Sequence, residues 1–307
     1  MQSGARAAIQ VDWKAFDPWT IQPVTHELSN HFLLQPAQLV ELGKRLEARS
    51  LIRTHSSTAS AGTPFNDAPS SHPNRRSAKD TLSQIRDAKA WMSLLNVQTD
   101  DIYRQLVDEV LEQLRPEIEK RDPGLCYRGG WIFVTSPNTV TPFHIDKEHN
   151  FLLQLYGRKK LYVWDHRDTE VVSELARDRF HRQHKRDLIV WRDEFKSRAR
   201  VFDLEPGIGA YMPSTSPHMV ENGDNPSITI SFTYYTDATR RSNGVHSAHD
   251  YLREVAGIQT SPVGARPCID SMLYSGFRVA RGINNMLVRG EKKPLPTGVK
   301  YAHAQIG

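Results

Sequence analysis

Between about residues 125 and 236 the chain breaks into short runs rich in β-branched and aromatic residues: GGWIFVTS, NFLLQLYG, KLYVWD, ARVFDL, GAYMP and SITISFTYYT. Gly, Pro, Asn and Asp punctuate them. Short strands with frequent turn residues bury their apolar faces only by pairing with one another, so the pattern predicts an all-β sandwich or barrel. A polar, Arg-rich insertion at about 168–200 interrupts it.

The flanking regions read differently. Residues 1–124 form an N-terminal helical region. In it Pro36 opens one helix whose Leu39, Leu42 and Leu46 recur at helical spacing. Two more helices are expected near 86–96 and 100–120, the second with Ile102, Leu106, Val110, Leu114 and Ile118 four apart. Residues 54–76 (THSSTASAGTPFNDAPSSHPNRR) have almost no apolar anchors and read as a mobile connector, with a lid over a substrate as the alternative. After the β region at 125–240, helices are expected near 246–256 and 268–288, in a C-terminal region at 241–307.

Composition excludes some classes. No stretch approaches the roughly 20 apolar residues of a membrane span, and the N-terminus lacks a secretory apolar core. Cys126 and Cys268 cannot make a disulfide framework, so a cytoplasmic location is expected. The net charge of +5 is spread along the chain and does not establish nucleic-acid binding.

Chemistry concentrates in Thr141-Pro142-Phe143-His144-Ile145-Asp146. Residues two apart on a strand project to one face, so His144 and Asp146 offer an imidazole and a carboxylate to one ion. His218, in PSTSPHMVEN between two expected strands, is the best third donor. Two histidines and one carboxylate form the facial triad of non-haem iron(II) oxygenases, which leaves coordination positions open for a chelating 2-oxo acid and dioxygen.

The run TPFHIDKEHNFLLQLYGRKKLYVWD resembles the core of JmjC-type, cupin-like 2-oxoglutarate oxygenases. It is especially similar to the branch containing the asparaginyl hydroxylase that acts on hypoxia-inducible factor. The resemblance rests on Thr141 three residues before His144, Asn150 six after it and Lys159 fifteen after it, and on HMVENGDNPSITISFTYY around His218. It implies a double-stranded β-helix (jelly roll) with peripheral helices and Fe(II) at His144, Asp146 and His218. It also implies 2-oxoglutarate as co-substrate, with Lys159 and Thr141 on its distal carboxylate and Asn150 nearby. Such an enzyme would hydroxylate a C–H bond of a protein, peptide or small molecule and release succinate. Ser231 stands where the hydroxylase has a second Asn, and Tyr127 is placed within reach of the co-substrate. The C-terminal helices are a possible homodimer interface. Strand parity supports the resemblance, because Asn150 and Gln154 would be polar groups facing a barrel interior.

Other constellations read as structural. His181 and His184 lie in a segment, 177–200, with nine Lys or Arg; a solvated polar helix is expected there rather than a metal site. His246 and His249 read as surface or interface residues, and His149 as an edge position or part of the site entrance. Two alternatives stand beside the oxygenase: a metal-binding cupin that uses no 2-oxoglutarate, and a regulatory protein that reads a partner or DNA through 177–200.

Overall fold

The computed structural model describes residues 7–288, with side chains to 279. Residues 289–307, and with them part of the expected C-terminal region and its possible dimer face, lie outside the described residues. Four strands precede the barrel: β1 (Ile9–Gln10), β2 (Gln22–His26), β3 (Ile52–Ser56) and β4 (Ala90–Leu94). The barrel strands are β5 (Cys126–Thr135), β6 (Val140–His144), β7 (His149–Tyr156), β8 (Lys159–Val163), β9 (Arg200–Leu204), β10 (Ile208–Met212), β11 (His218–Asn222) and β12 (Ser227–Tyr235). One sheet runs β1-β2-β10-β7-β12-β5-β4-β3 and the other β6-β11-β8-β9. Of the eight successive strands β5 to β12, β5, β7, β10 and β12 thus lie in the large antiparallel sheet and β6, β8, β9 and β11 in the small one, as in a jelly roll, and the double-stranded β-helix expected from the resemblance is the fold. The N-terminal strands extend the large sheet at both edges.

β12 shows how the sequence makes two different faces. Ile228, Ile230, Phe232 and Tyr234 point outward into a core shared with α1 (Pro36–Glu47) and α4 (Asp101–Glu119), where Leu39, Leu42, Leu46, Val107 and Leu111 are buried. Each such side chain contributes roughly 2 kcal/mol. Ser227, Thr229, Ser231 and Thr233 alternate with them, equally buried, on the face toward the barrel interior. The small sheet is covered by the Arg-rich insertion. Its helix α5 (Glu174–Gln183) and following loop bury Val172, Phe180, Ile189 and Phe195 against Phe143, Trp164 and Met219.

Several local expectations change. Residues 90–94 (AWMSL) are a strand, β4, paired with both β3 and β5. It is buried on both faces, so it carries no period-2 signal to separate it from a helix. The connector at 54–76 is ordered: it contains the end of β3 and the short helix α2 (Ala68–Ser71), and its Phe65 packs inward at 9% exposure. A further short helix, α3 (Ala78–Ser83), follows. The C-terminal helices are α6 (Asp237–Ala256) and α7 (Pro267–Val288). α6 starts earlier than expected because Thr236 and Thr239 cap it reciprocally.

α5 is not a solvated helix. Arg177, Asp178 and His181 are buried because α6 lies across it, and the same packing buries His246 and His249, which were expected at the surface. His149 is neither an edge nor an entrance residue. It is fully buried, its Nε2 donating to Asp122 and its Nδ1 accepting from the Ser214 amide. Among the described residues no helix is long and apolar enough to cross a membrane.

Candidate metal centre

His144 ends β6, Asp146 lies two residues beyond it in the β6–β7 connection, and His218 opens β11 directly opposite His144. The backbone therefore brings the three donors together where two neighbouring strands meet. The Asp146 carboxylate lies 3.5 Å from His144 Nε2 and 3.7 Å from His218 Nε2, and the ring centroids are 4.1 Å apart. Donor atoms of all three lie within 4.8 Å of one another, spacing suited to one shared ion.

The tautomers are set locally. His144 Nδ1 donates to the Pro142 carbonyl (2.7 Å) and His218 Nδ1 to the Ser216 carbonyl (3.0 Å), so both Nε2 atoms keep their lone pairs for a ligand. Burial, followed by the neighbouring His144, lowers the His218 pKa to about 4 and keeps it neutral. Burial alone would push the Asp146 carboxyl up, but His144, Arg186 and His218 overcome this and hold it well below the usual carboxylate range. The donor set is two imidazoles and a carboxylate with open positions, which suits iron(II).

Two segments without any motif complete the centre. Phe65 stacks on the His144 ring at 3.9 Å and 11°. Arg186, at 6% exposure, donates from Nη2 to Asp146 Oδ1 (2.9 Å), which leaves Oδ2 toward the imidazoles. The same guanidinium holds the Ile145 carbonyl and Asn66 Oδ1, between the Phe65 and Phe180 rings. Neither contact was legible in the sequence. Phe65 sits in a polar run and Arg186 among eight other cations in residues 177–200.

The centre borders an open cleft. Its wall includes Ser93, Asn150, Ser231 and Thr233, and the side-chain oxygens of all four (Oδ1 for Asn150) are buried with no hydrogen-bond partner. Orphaned buried polar atoms are costly, about 1–3 kcal/mol each, so this wall suits a polar ligand. Thr141 reaches the interior face despite its odd spacing from His144. A bulge makes it pair with Val220, two residues from His218, so three residues of β6 span two of β11. Trp91 Nε1 donates to its hydroxyl at 2.8 Å.

Lys159 shares the interior-facing parity of Leu161 and Val163. Val163 pairs with His218, so Lys159 stands four residues along β8, about 13 Å of strand, from the metal donors. No hydrogen bond or ion pair among the described residues engages its amine, and burial lowers its pKa to about 7. Gln154, by contrast, is fully used. It donates to the Tyr156 and Gly157 carbonyls and to Ser227, and accepts from Thr229. Tyr127, Thr141 and Lys159 are not in the cleft wall, and Lys159 borders a separate hollow with Arg158, Lys160 and Asp203; the Tyr127 hydroxyl donates to Asn96 and its ring packs on Tyr235.

No family model matches the chain, and no curated protein matches its sequence. Among solved structures it is similar to YcfD of Escherichia coli at 17% identity and a TM-score of 0.46, covering 83% of this chain and 60% of that one. YcfD, described as a ribosomal oxygenase, in complex with cobalt and 2-oxoglutarate gives the same identity and score over 90% of this chain and 68% of that one. An oxalate decarboxylase is similar at 13% identity and a TM-score of 0.24, over 43% of this chain and 29% of the other. The chain thus spans less than two thirds of the length of the first of these structures.

Proposed function

We propose that this chain is an Fe(II)- and 2-oxoglutarate-dependent oxygenase that hydroxylates a C–H bond of a protein, peptide or small-molecule substrate. The observation that carries the proposal is the convergence of His144 Nε2, His218 Nε2 and the Asp146 carboxylate beside a cleft lined by unpartnered polar atoms. Bound iron would supply dioxygen activation coupled to oxidative decarboxylation of the co-substrate.

The chain's own residues have separable tasks. The Pro142 and Ser216 carbonyls aim the two imidazoles, and Arg186 keeps one carboxylate oxygen of Asp146 occupied. In this reading Lys159 supplies the cation that a buried distal carboxylate requires, and the Thr141 hydroxyl a hydrogen bond to it. Asn150 and Ser231 offer hydrogen bonds from the cleft wall. Ser231 has a shorter reach than the Asn of the resembled hydroxylase, so the substrate of that enzyme does not transfer. Phe65, Trp91, Trp131 and Phe133 line an aromatic part of the cleft and limit water access there, while Arg53, Lys147 and Glu148 make another part charged.

The test is succinate formation from 2-oxoglutarate by the iron-loaded protein in air, without added substrate. Slow, iron-dependent succinate release that disappears in His218→Ala and shows a raised 2-oxoglutarate requirement in Lys159→Ala supports the proposal. Metal binding with no succinate and no 2-oxoglutarate affinity would leave a cupin that uses other chemistry.

A further inference from the structure

We propose that a second divalent-metal site bridges α5 and α6, formed by Glu174, Asp178, His246 and His249, with zinc(II) the ion its donor set fits. Glu174 and Asp178 are four apart on α5, and His246 and His249 three apart on α6, so each pair presents two donors on one helix face. The two faces meet. His181 stacks on His246 at 4.5 Å and 2°, and Arg182 of α5 pairs with Asp250 of α6. Donor atoms of Glu174, Asp178 and His246 lie within 4.8 Å of one another, and none of these residues belongs to the His144 centre.

An independent observation points to a missing ligand. His249 is 2% exposed, its Nδ1 has no hydrogen-bond partner, and that atom stands 3.9 Å from Asp178 Oδ1. Glu174 Oε2 is likewise buried without a partner. An ion held by Glu174, Asp178 and His246 would satisfy the Glu174 orphan or stand beside it, and His249 Nδ1, which lies outside that 4.8 Å group, would join by closing on the Asp178 side.

The neighbouring arginines do not forbid a cation. Arg177 engages Glu174 Oε1 and Arg253 engages Asp178 Oδ2, which leaves one oxygen of each carboxylate on its other side. Five carboxylates (Glu174, Asp178, Asp250, Glu254, Asp270) surround the cluster with three guanidiniums (Arg177, Arg182, Arg253) and the Lys147 amine on the far side of His181, an excess of one negative charge before the histidines are counted. His246 Nδ1 now donates to Asp178 Oδ1 at 2.6 Å. Tetrahedral zinc with bonds of about 2.0–2.1 Å needs donors about 3.3 Å apart, so entry requires an opening of about 0.7 Å and a tautomer shift that moves the His246 proton from Nδ1 to Nε2. Asp270 of α7, 3.9 Å from His249 Nε2, stands ready as that ligand's outer partner.

The experiment titrates the full-length metal-free protein with Co(II), followed by Zn(II) competition. It is run on the wild type, on Asp146→Ala, and on Asp146→Ala combined with His249→Gln or with Glu174→Gln. The wild type is expected to bind two equivalents. Asp146→Ala retains one, with visible d–d bands. Either added substitution weakens that equivalent by about tenfold or more. Glu174 is 20% exposed at its side chain, so Glu174→Gln spares the buried imidazoles, and circular dichroism separates site loss from unfolding. The proposal is overturned if Asp146→Ala binds no Co(II), or if its remaining equivalent is unmoved by both substitutions in folded protein.

Discussion

Arg186→Met removes a group that no motif marks and that the geometry makes a positioning residue for the metal centre. In the native chain Nη2 holds Asp146 Oδ1 at 2.9 Å, Nε and Nη2 hold the Ile145 carbonyl at 3.1 and 2.9 Å, and Nη1 holds Asn66 Oδ1 at 3.0 Å. Methionine keeps much of the apolar stem between Phe65 and Phe180 but leaves Asp146 free to rotate. Loss of an outer-shell partner of a metal ligand typically weakens metal affinity by about 10–100-fold, or about 1.4–2.8 kcal/mol. Loss of the buried charge-assisted bonds should lower stability by about 3 kcal/mol as well. The assay is calorimetric titration of the metal-free protein with Co(II), with thermal unfolding of the same samples as a separate readout. Arg186→Lys, which keeps the charge without the fork, should recover only part of the affinity. A folded Arg186→Met protein that binds Co(II) with wild-type affinity would refute the reasoning.

Three further outcomes are expected. With metal present, 2-oxoglutarate affinity should be flat below pH 7 and weaken by up to tenfold per pH unit above it, because the pKa of Lys159 is lowered to about 7 and the amine loses its charge as pH rises through that value; in Lys159→Arg that Lys159-dependent slope should vanish, as measured by calorimetry across pH 6–9. The same depressed pKa means the unfolded chain binds more protons between about pH 7 and the ordinary lysine value of 10.5, so Lys159 should make apoprotein stability rise with pH across that window, checked by denaturant titration of wild type against Lys159→Met. Gly157 sits at φ +74° in the β7–β8 turn, and a Cβ there would meet the Pro226 carbonyl oxygen at 2.1 Å, so Gly157→Ala should cost more than about 1–3 kcal/mol in the same assay.

How much was legible in the sequence follows from the range of the interactions. The all-β pattern and the His144–Asp146 pair were legible because they depend on local parity, while the jelly roll was implied by the resemblance. The His144–Asp146 pair, the alternation of β12 and the turn at Gly157 are all visible within a few residues. Thr141 was placed by resemblance alone; the bulge that turns it to the same face as His144 appears only when β6 is registered against β11. What stayed hidden depends on distant contacts. Phe65 lies in a run of Ser, Thr and Pro that looks unanchored until it stacks on His144, and Arg186 looks like one more solvated cation until Asp146 is beside it. Buried histidines on α5 and α6 read as surface residues because polar composition hides burial when each polar group finds its partner on another helix. The strand at 90–94 was missed for the opposite reason, since a continuous apolar run fits either a buried strand or a helix.

The most direct measurement of the central claim is the visible absorption of the protein under anaerobic conditions as Fe(II) and then 2-oxoglutarate are added. A metal-to-ligand charge-transfer band that needs both additions, disappears in Asp146→Ala and requires more 2-oxoglutarate in Lys159→Ala is the expected result. A wild-type protein that binds Fe(II) yet develops no band at saturating 2-oxoglutarate would contradict the account.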